Sequence, residues 1–290
     1  MVVLIPSPTT RQGPLLELDD LHLAFSGVRA LKGVSLEVSP GSLHAVIGPN
    51  GAGKTSLFNC ISGVYEPQRG TVRFLDQDLH AHRPHERSAL GIARMFQNLA
   101  VFDQLTVLEN LLLGRHHLYR TTFWQDALWL PRARQQEVAH RERVEDLIDF
   151  LHLERYRKLP AGMLPYGVLK RVELGRALCM EPQLLLLDEP AAGLNREETE
   201  DMARYMLDIR DEMGLSLLLI EHDLGLVMDL ADRVSVLDFG EKIAEGPPAD
   251  IRDDPSVRKA YLGTNELGQA KSPPEETADD KPDSGASERP

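Results

Sequence analysis

The sequence predicts an α/β fold with a parallel core sheet, and three observations carry that prediction. "LLLLD" at 184–188 and "LSLLLI" at 215–220 are continuous apolar runs, the pattern of strands buried on both faces. Strand-like runs alternate with helical patterns along the second half of the chain, as a parallel sheet with crossover helices requires. A glycine-rich turn, "IGPNGAGKTS", joins the strand pattern "LHAVI" to a helical one.

Taken in order, residues 1–14 ("MVVLIPSPTTRQGP") read as a flexible arm, its short apolar run cut by Pro6 and Pro8 and lacking the basic leader of a signal peptide. Strand patterns "LLELDDLHLAF", "GVSLEV" and "SLHAVIG" follow, separated by Gly, Ser and Pro turns. After Gly53 the pattern is helical to Ile61, and "GTVRFL" returns to strand. From about 106 to 175 the spacing turns helical, with Val138, Val144, Leu147, Ile148 and Leu151 expected on one face. Strand signals resume with "LLLLDEP", "LSLLLIEHD", "RVSVLDFG" and "EKIAEG", with a helix expected from about Arg196 to Met213. One ordered domain is expected over 15–263. The tail 264–290 holds seven acids and three bases and too little apolar surface to order itself.

Composition narrows the function. The 290 residues are 42% hydrophobic, enough for a sizeable core. A net charge of −13 argues against a nucleic-acid partner, which needs a basic face. Two cysteines, Cys60 and Cys179, do not make a disulfide framework and fit a reducing compartment. No run of about 18 apolar residues occurs to cross a membrane. The trio His80, His82 and His85 lacks the spacing of a metal site and reads as a solvated loop.

The turn "IGPNGAGKTS" spans Gly48, Pro49, Asn50, Gly51, Ala52, Gly53, Lys54, Thr55 and Ser56 and fits G-x-x-x-x-G-K-[ST]. Its glycines let successive N–H groups turn inward around phosphate oxygens, and the following helix N-terminus adds partial positive charge. Lys54 would reach the β- and γ-phosphates, and the Thr55 hydroxyl would bind Mg²⁺. About 130 residues later, "LLLLDEP" places Asp188 at a strand end to hold Mg²⁺ through water and Glu189 beside it to accept a proton from attacking water.

A phosphate loop, a helical insertion and a second apolar strand ending in Asp-Glu resemble the nucleotide-binding subunit of ABC transporters, over roughly 16–263. The resemblance implies a P-loop NTPase cassette with a parallel core sheet, an antiparallel β subdomain and an inserted helical subdomain, taking ATP and Mg²⁺. Within it, Gln97 in "RMFQN" looks like the Q-loop glutamine that touches Mg²⁺ and the attacking water, and His222 in "LLIEHD" looks like the switch histidine on the γ-phosphate. "AAGLN", with Ala192, Gly193, Leu194 and Asn195, sits where the D-loop belongs, while Asn195 with Glu198 also reads as a capping box. Phe25 stands where an aromatic stacks on adenine; a core position is its alternative. "LPYGV", Leu164, Pro165, Tyr166, Gly167 and Val168, stands for the usual L-S-G-G-Q signature, which acts on ATP held by the opposite cassette. Only Leu164 and Gly167 match. Pro165 offers neither hydroxyl nor N–H, and one hydrogen bond to a charged group contributes about 1.5–3 kcal/mol.

The stretches "IGPNGAGKTSLFNCISGVYEP", "GIARMFQN", "LTVLENLLLGRHH", "LLIEHDLGLVM" and "KAYLG" resemble the ATPases of branched-chain amino acid importers, of the longer of two types. The resemblance implies an ATP-hydrolysing subunit for uptake of branched-chain amino acids, urea, amides or aromatic acids. Its partners would be a second cassette (a different chain, or a copy), two transmembrane permeases and, indirectly, an extracytoplasmic solute-binding protein, on the cytoplasmic face of a prokaryotic membrane. Phe123, Trp124 and Trp129 in the insertion read either as core or as permease contact. The rival readings are a lipid-exporter ATPase and a soluble ABC ATPase outside transport.

Overall fold

The computed structural model describes residues 13–96, 100–118 and 131–261. The arm up to residue 12, Gln97, the aromatic residues of the insertion and the acidic tail lie outside them.

Two sheets form. The strands β1 (Leu16–Phe25), β2 (Val28–Val38), β4 (Arg69–Phe74) and β5 (Gln77–Asp78) make an antiparallel sheet in the order β2-β1-β4-β5. The second sheet runs β10-β9-β3-β8-β7-β6, from β3 (Leu43–Ile47), β6 (Ile92–Met95), β7 (Leu184–Asp188), β8 (Ser216–Ile220), β9 (Arg233–Asp238) and β10 (Glu241–Gly246). Its first five strands in space after β10 pair in parallel, and β10 closes the edge antiparallel to β9.

This central sheet divides two apolar cores. Leu43, Ala45, Ile47, Leu185, Leu187, Leu217 and Leu219 point to one face, and Val46, Leu184, Leu186, Leu218 and Ile220 to the other. That period of two with both faces buried is why these strands read as unbroken apolar runs. The second face packs against α1 (Lys54–Ser62), through Leu57, Phe58 and Ile61, and against the antiparallel sheet. The first face carries the helical block.

In that block, α3 (Val107–Gly114) starts at Thr106, whose hydroxyl accepts from the Glu109 N–H while the Glu109 carboxylate accepts from the Thr106 N–H. That capping box satisfies two donors the helix would otherwise leave open. On α4 (Pro131–Phe150) and the turn after it, Val144, Leu147, Ile148 and Leu151 are buried, but Val138 is 49% exposed. Val144 lies six positions after Val138, which puts Val138 about 120° off the stripe, so the expected five-residue face begins nearly two turns later. Next come α5 (Tyr166–Leu178), α6 (Arg196–Asp211), α7 (Leu224–Leu230) and α8 (Pro248–Asp253), with α2 (Pro84–Ala89) before β6. A last helical segment spans 255–261. The apolar stripe Met202, Tyr205, Met206 and Ile209 docks α6 on the core.

Candidate active site at the phosphate-binding loop

Strand β3 delivers the chain into the loop 48–53, and backbone geometry there requires glycine. Gly48 has φ 148°, and a Cβ on it would lie 2.1 Å from the Leu237 carbonyl oxygen. Gly53 has φ 106°, with a Cβ position 2.6 Å from the Ala30 carbonyl oxygen. Side chains are excluded at both ends of the loop. The loop is pinned from below: the Gly240 N–H donates to the Ala52 carbonyl at 3.0 Å. Helix α1 then starts with no side-chain cap and no acid in its first turn, which leaves an anion site at its N-terminus. Lys54 is buried and folds back over the loop, donating to the Gly48 and Pro49 carbonyls at 2.7 and 3.0 Å. Burial lowers its pKa, opposed by Glu189 and then Asp188. Asn50, Gly51 and Thr55 are exposed at the mouth.

Adjacent strands β3, β8 and β7 bring the acids to this loop. Asp188 ends β7 almost wholly buried, and its Oδ2 accepts from Arg94 on β6 at 2.6 Å. Arg94 also donates to Asn59 and Ser62 on α1. The Oδ1 of Asp188 meets no donor among the described residues. An unpartnered buried carboxylate oxygen beside the phosphate loop is what a Mg²⁺ site offers before it is filled.

Glu189 has φ 52°, a left-handed conformation that costs a β-carbon residue roughly 1–2 kcal/mol. Its N–H donates to the Ile220 carbonyl at 2.9 Å, and His222 Nε2 lies 2.6 Å from its Oε1. Glu221 underpins both turns, its carboxylate accepting from the Ala191 N–H at 2.9 Å and the His222 N–H at 3.1 Å. Burial pushes the Glu221 carboxyl above the usual range, against those two donors.

The signature-position loop is a separate surface. Pro165 is the N-cap of α5 without a side-chain cap bond, and its carbonyl accepts from the Val168 and Leu169 N–H groups. Val168 turns into the core, which explains an apolar residue where the family has glutamine. Gly167 packs beneath Glu198: a Cβ there would lie 2.2 Å from Glu198 Oε1, so that carboxylate would have to swing aside. Leu164 is buried, whereas Tyr166 is half-exposed and its ring sits against Gly193 of "AAGLN". Among the described residues no hydrogen bond joins 164–168 to the phosphate loop. Asn195 caps α6, exchanging hydrogen bonds with Glu198 at 3.0 and 3.1 Å, while Ala192 and Leu194 lie in the turn before it. Phe25 is exposed on one side and meets Tyr65 edge-on, ring centroids 4.9 Å apart. The segment after it carries Ala30, whose carbonyl oxygen lies against Gly53.

The residues 31–192 match the family model described as ABC transporter. The chain belongs to the ABC transporter ATP-binding proteins. A second model, branched-chain amino acid ATP-binding cassette transporter, matches 241–266. The cassette is 39% identical over 250 residues to the high-affinity branched-chain amino acid transport ATP-binding protein BraF of Pseudomonas aeruginosa, spanning 86% of this chain and 98% of that protein. It is 38% identical over 250 residues to LivG of Escherichia coli K12, with the same coverage. A crystal structure of an ABC transporter's ATP-binding cassette in its ADP conformation superposes with a TM-score of 0.76 at 32% identity, covering 87% of this chain and all of that one. As in its family, the chain is an ATPase that powers transport, and the fold is the ABC cassette.

Several residues at this site carry no motif. Arg94 and Glu221 are single charged residues within or beside buried strand patterns, and that misfit is the only signal the sequence offers. Tyr261, in the closing "KAYLG", is part-buried with the Gly48 N–H facing its buried hydroxyl; burial pushes it up to about 12, which the Gly48 N–H opposes. The segment that distinguishes the branched-chain subfamily therefore reaches the phosphate loop itself.

Proposed function

We propose that this cassette drives an ABC importer for branched-chain amino acids or a related small polar solute, and that the residues gathered around Lys54 hydrolyse its ATP. The observation that carries the choice of importer is the match of 241–266 to the branched-chain subfamily, beyond the general cassette match. Lys54 moves from the loop carbonyls to the β- and γ-phosphates, and Phe25, braced by Tyr65, stacks on the adenine. Thr55 and Asp188 would hold Mg²⁺, which would neutralise phosphate charge when bound, and Gln97, outside the described residues, would have the Q-loop role on that ion. Glu189 takes the proton of the attacking water, with His222 and Glu221 fixing its orientation.

The loop 164–168 and the turn 192–195 face the ATP of a second cassette, whose own signature completes this site in return. With Pro165 in place, backbone N–H groups at the start of α5 do the work of the usual serine hydroxyl. Two transmembrane permeases dock on the cytoplasmic side near Gln97, and a solute-binding protein feeds them from outside. Among the described residues no helix is long and apolar enough to cross a membrane.

A tagged Glu189→Gln variant, purified from native membranes with ATP, is expected to bring two permeases and a second, shorter cassette. Its ATP turnover should fall by roughly 10²–10⁴-fold with nucleotide still bound. Recovery with lipid-export machinery, or with ribosomes or repair factors, overturns the importer reading.

A further inference from the structure

Helix α5 carries a polar stripe inward from the signature-position loop: Tyr166, Lys170 and Glu173, at i, i+4 and i+7, share one face. Lys170 is fully buried with its ammonium 5.8 Å from the Tyr166 ring centre, and Glu173 is 2% exposed. A buried charged pair is weak evidence for stability, since apolar residues of similar volume usually serve as well. Its explanation lies in what it holds.

Glu173 Oε1 accepts from the Ala100 N–H at 3.4 Å, and the Phe96 N–H faces the same carboxylate. One turn on, Arg176 donates to the Ala100 carbonyl. Phe96 follows β6 by one residue, and the Arg94 guanidinium lies 4.9 Å from its ring centre. Arg94 is the donor that fixes Asp188. A path of described residues therefore runs from Glu173 through Phe96 and Arg94 to Asp188, with the Lys170 charge acting on Glu173 from the Tyr166 side.

We propose that Glu173 is a positioning residue of the ATPase: it ties the backbone at Phe96 and Ala100 to the helix behind the signature-position loop, and through Phe96 it seats the arginine that orients Asp188. This rests on the ATPase reading of the site. In its absence the helix and β6 lose their polar link, so turnover suffers while nucleotide still binds at the phosphate loop, which Glu173 does not touch.

The full chain is compared with Glu173→Met, which keeps length and removes the acceptor, and Glu173→Gln, which keeps one neutral acceptor. ATP affinity, kcat, thermal midpoint and amide exchange at Phe96 and Ala100 are measured for each. Glu173→Met should lower kcat about tenfold, as loss of one charge-assisted hydrogen bond implies, with ATP affinity within about twofold of the parent. Exchange should quicken at Phe96 and Ala100 and not in α1. Glu173→Gln should fall between the two. A folded Glu173→Met with unchanged kcat, or unchanged exchange at Phe96 and Ala100, overturns the proposal, as does a uniform rise in exchange across the chain. Should the methionine variant fail to fold, exchange in Glu173→Gln decides: quickened locally supports the link, unchanged removes it. A parent protein that hydrolyses no ATP defeats the ATPase reading alone, and the exchange comparison still decides the link.

Discussion

Replacing Arg94 by methionine removes the positive half of an ion pair whose members are 7% and 1% exposed. The remaining Asp188 carboxylate then has no donor among the described residues, its other oxygen being unpartnered already. Breaking a buried pair from one side costs about 3–5 kcal/mol, because the abandoned charge stays desolvated. Asn59 and Ser62, the other two acceptors of Arg94, are part-buried and gain water in exchange, adding little. For a domain of this size 1 kcal/mol corresponds to about 2–4 °C, so the thermal midpoint should fall by roughly 6–20 °C. The assay is thermal unfolding by circular dichroism without nucleotide, on Arg94→Met, Asp188→Asn and the double variant. Removing both charges leaves no buried charge unpaired, so the double variant should be more stable than Arg94→Met alone. A single variant within about 2 °C of the parent, or a double variant showing the plain sum of the two losses, refutes the reasoning.

Gly48→Ala places a methyl 2.1 Å from the Leu237 carbonyl at a φ of 148°, so the loop must open and fluorescent-ATP titration should show no saturable binding; parent-like affinity counts against the packing argument. His44 is buried beside the Ser235 hydroxyl, and burial lowers its pKa from 6.5 to about 4. The unfolded chain therefore takes up a proton that the native state refuses as pH falls through that window. About 3 kcal/mol of stability, present above pH 6.5, is lost by the bottom of it. Urea unfolding of the parent and His44→Gln across this range should show the difference between them shrinking on acidification, and a pH-independent difference contradicts the assignment.

Local chemistry was readable in the sequence wherever one short stretch carries it. The phosphate loop needs only glycines, a lysine and a hydroxyl in order, and β7 and β8 announce themselves because two buried faces leave no polar alternation. The pairing of Arg94 with Asp188 is of another kind. It exists because β6 lies beside β7 in the sheet order, 94 residues apart in sequence, and nothing in "IARM" encodes that neighbour. Glu221, Glu173 and Tyr261 share this character: each acts on backbone groups distant in sequence, and backbone donors leave no trace in side-chain patterns. Val138 shows the converse, a residue of the right type carried past the core by 120° of helix rotation.

The contact between Tyr166 and Gly193 bears on how such a chain can be remodelled. A Cβ at Gly193 would sit 3.1 Å from the tyrosine ring, so the two loops are fitted to each other like a plug and its seat. Grafting a serine-glycine signature onto this chain would leave an empty seat above Gly193, and enlarging residue 193 would evict the tyrosine. Exchange between related cassettes should therefore succeed when 164–168 and 191–195 travel as a matched cassette of parts, and fail when either travels alone.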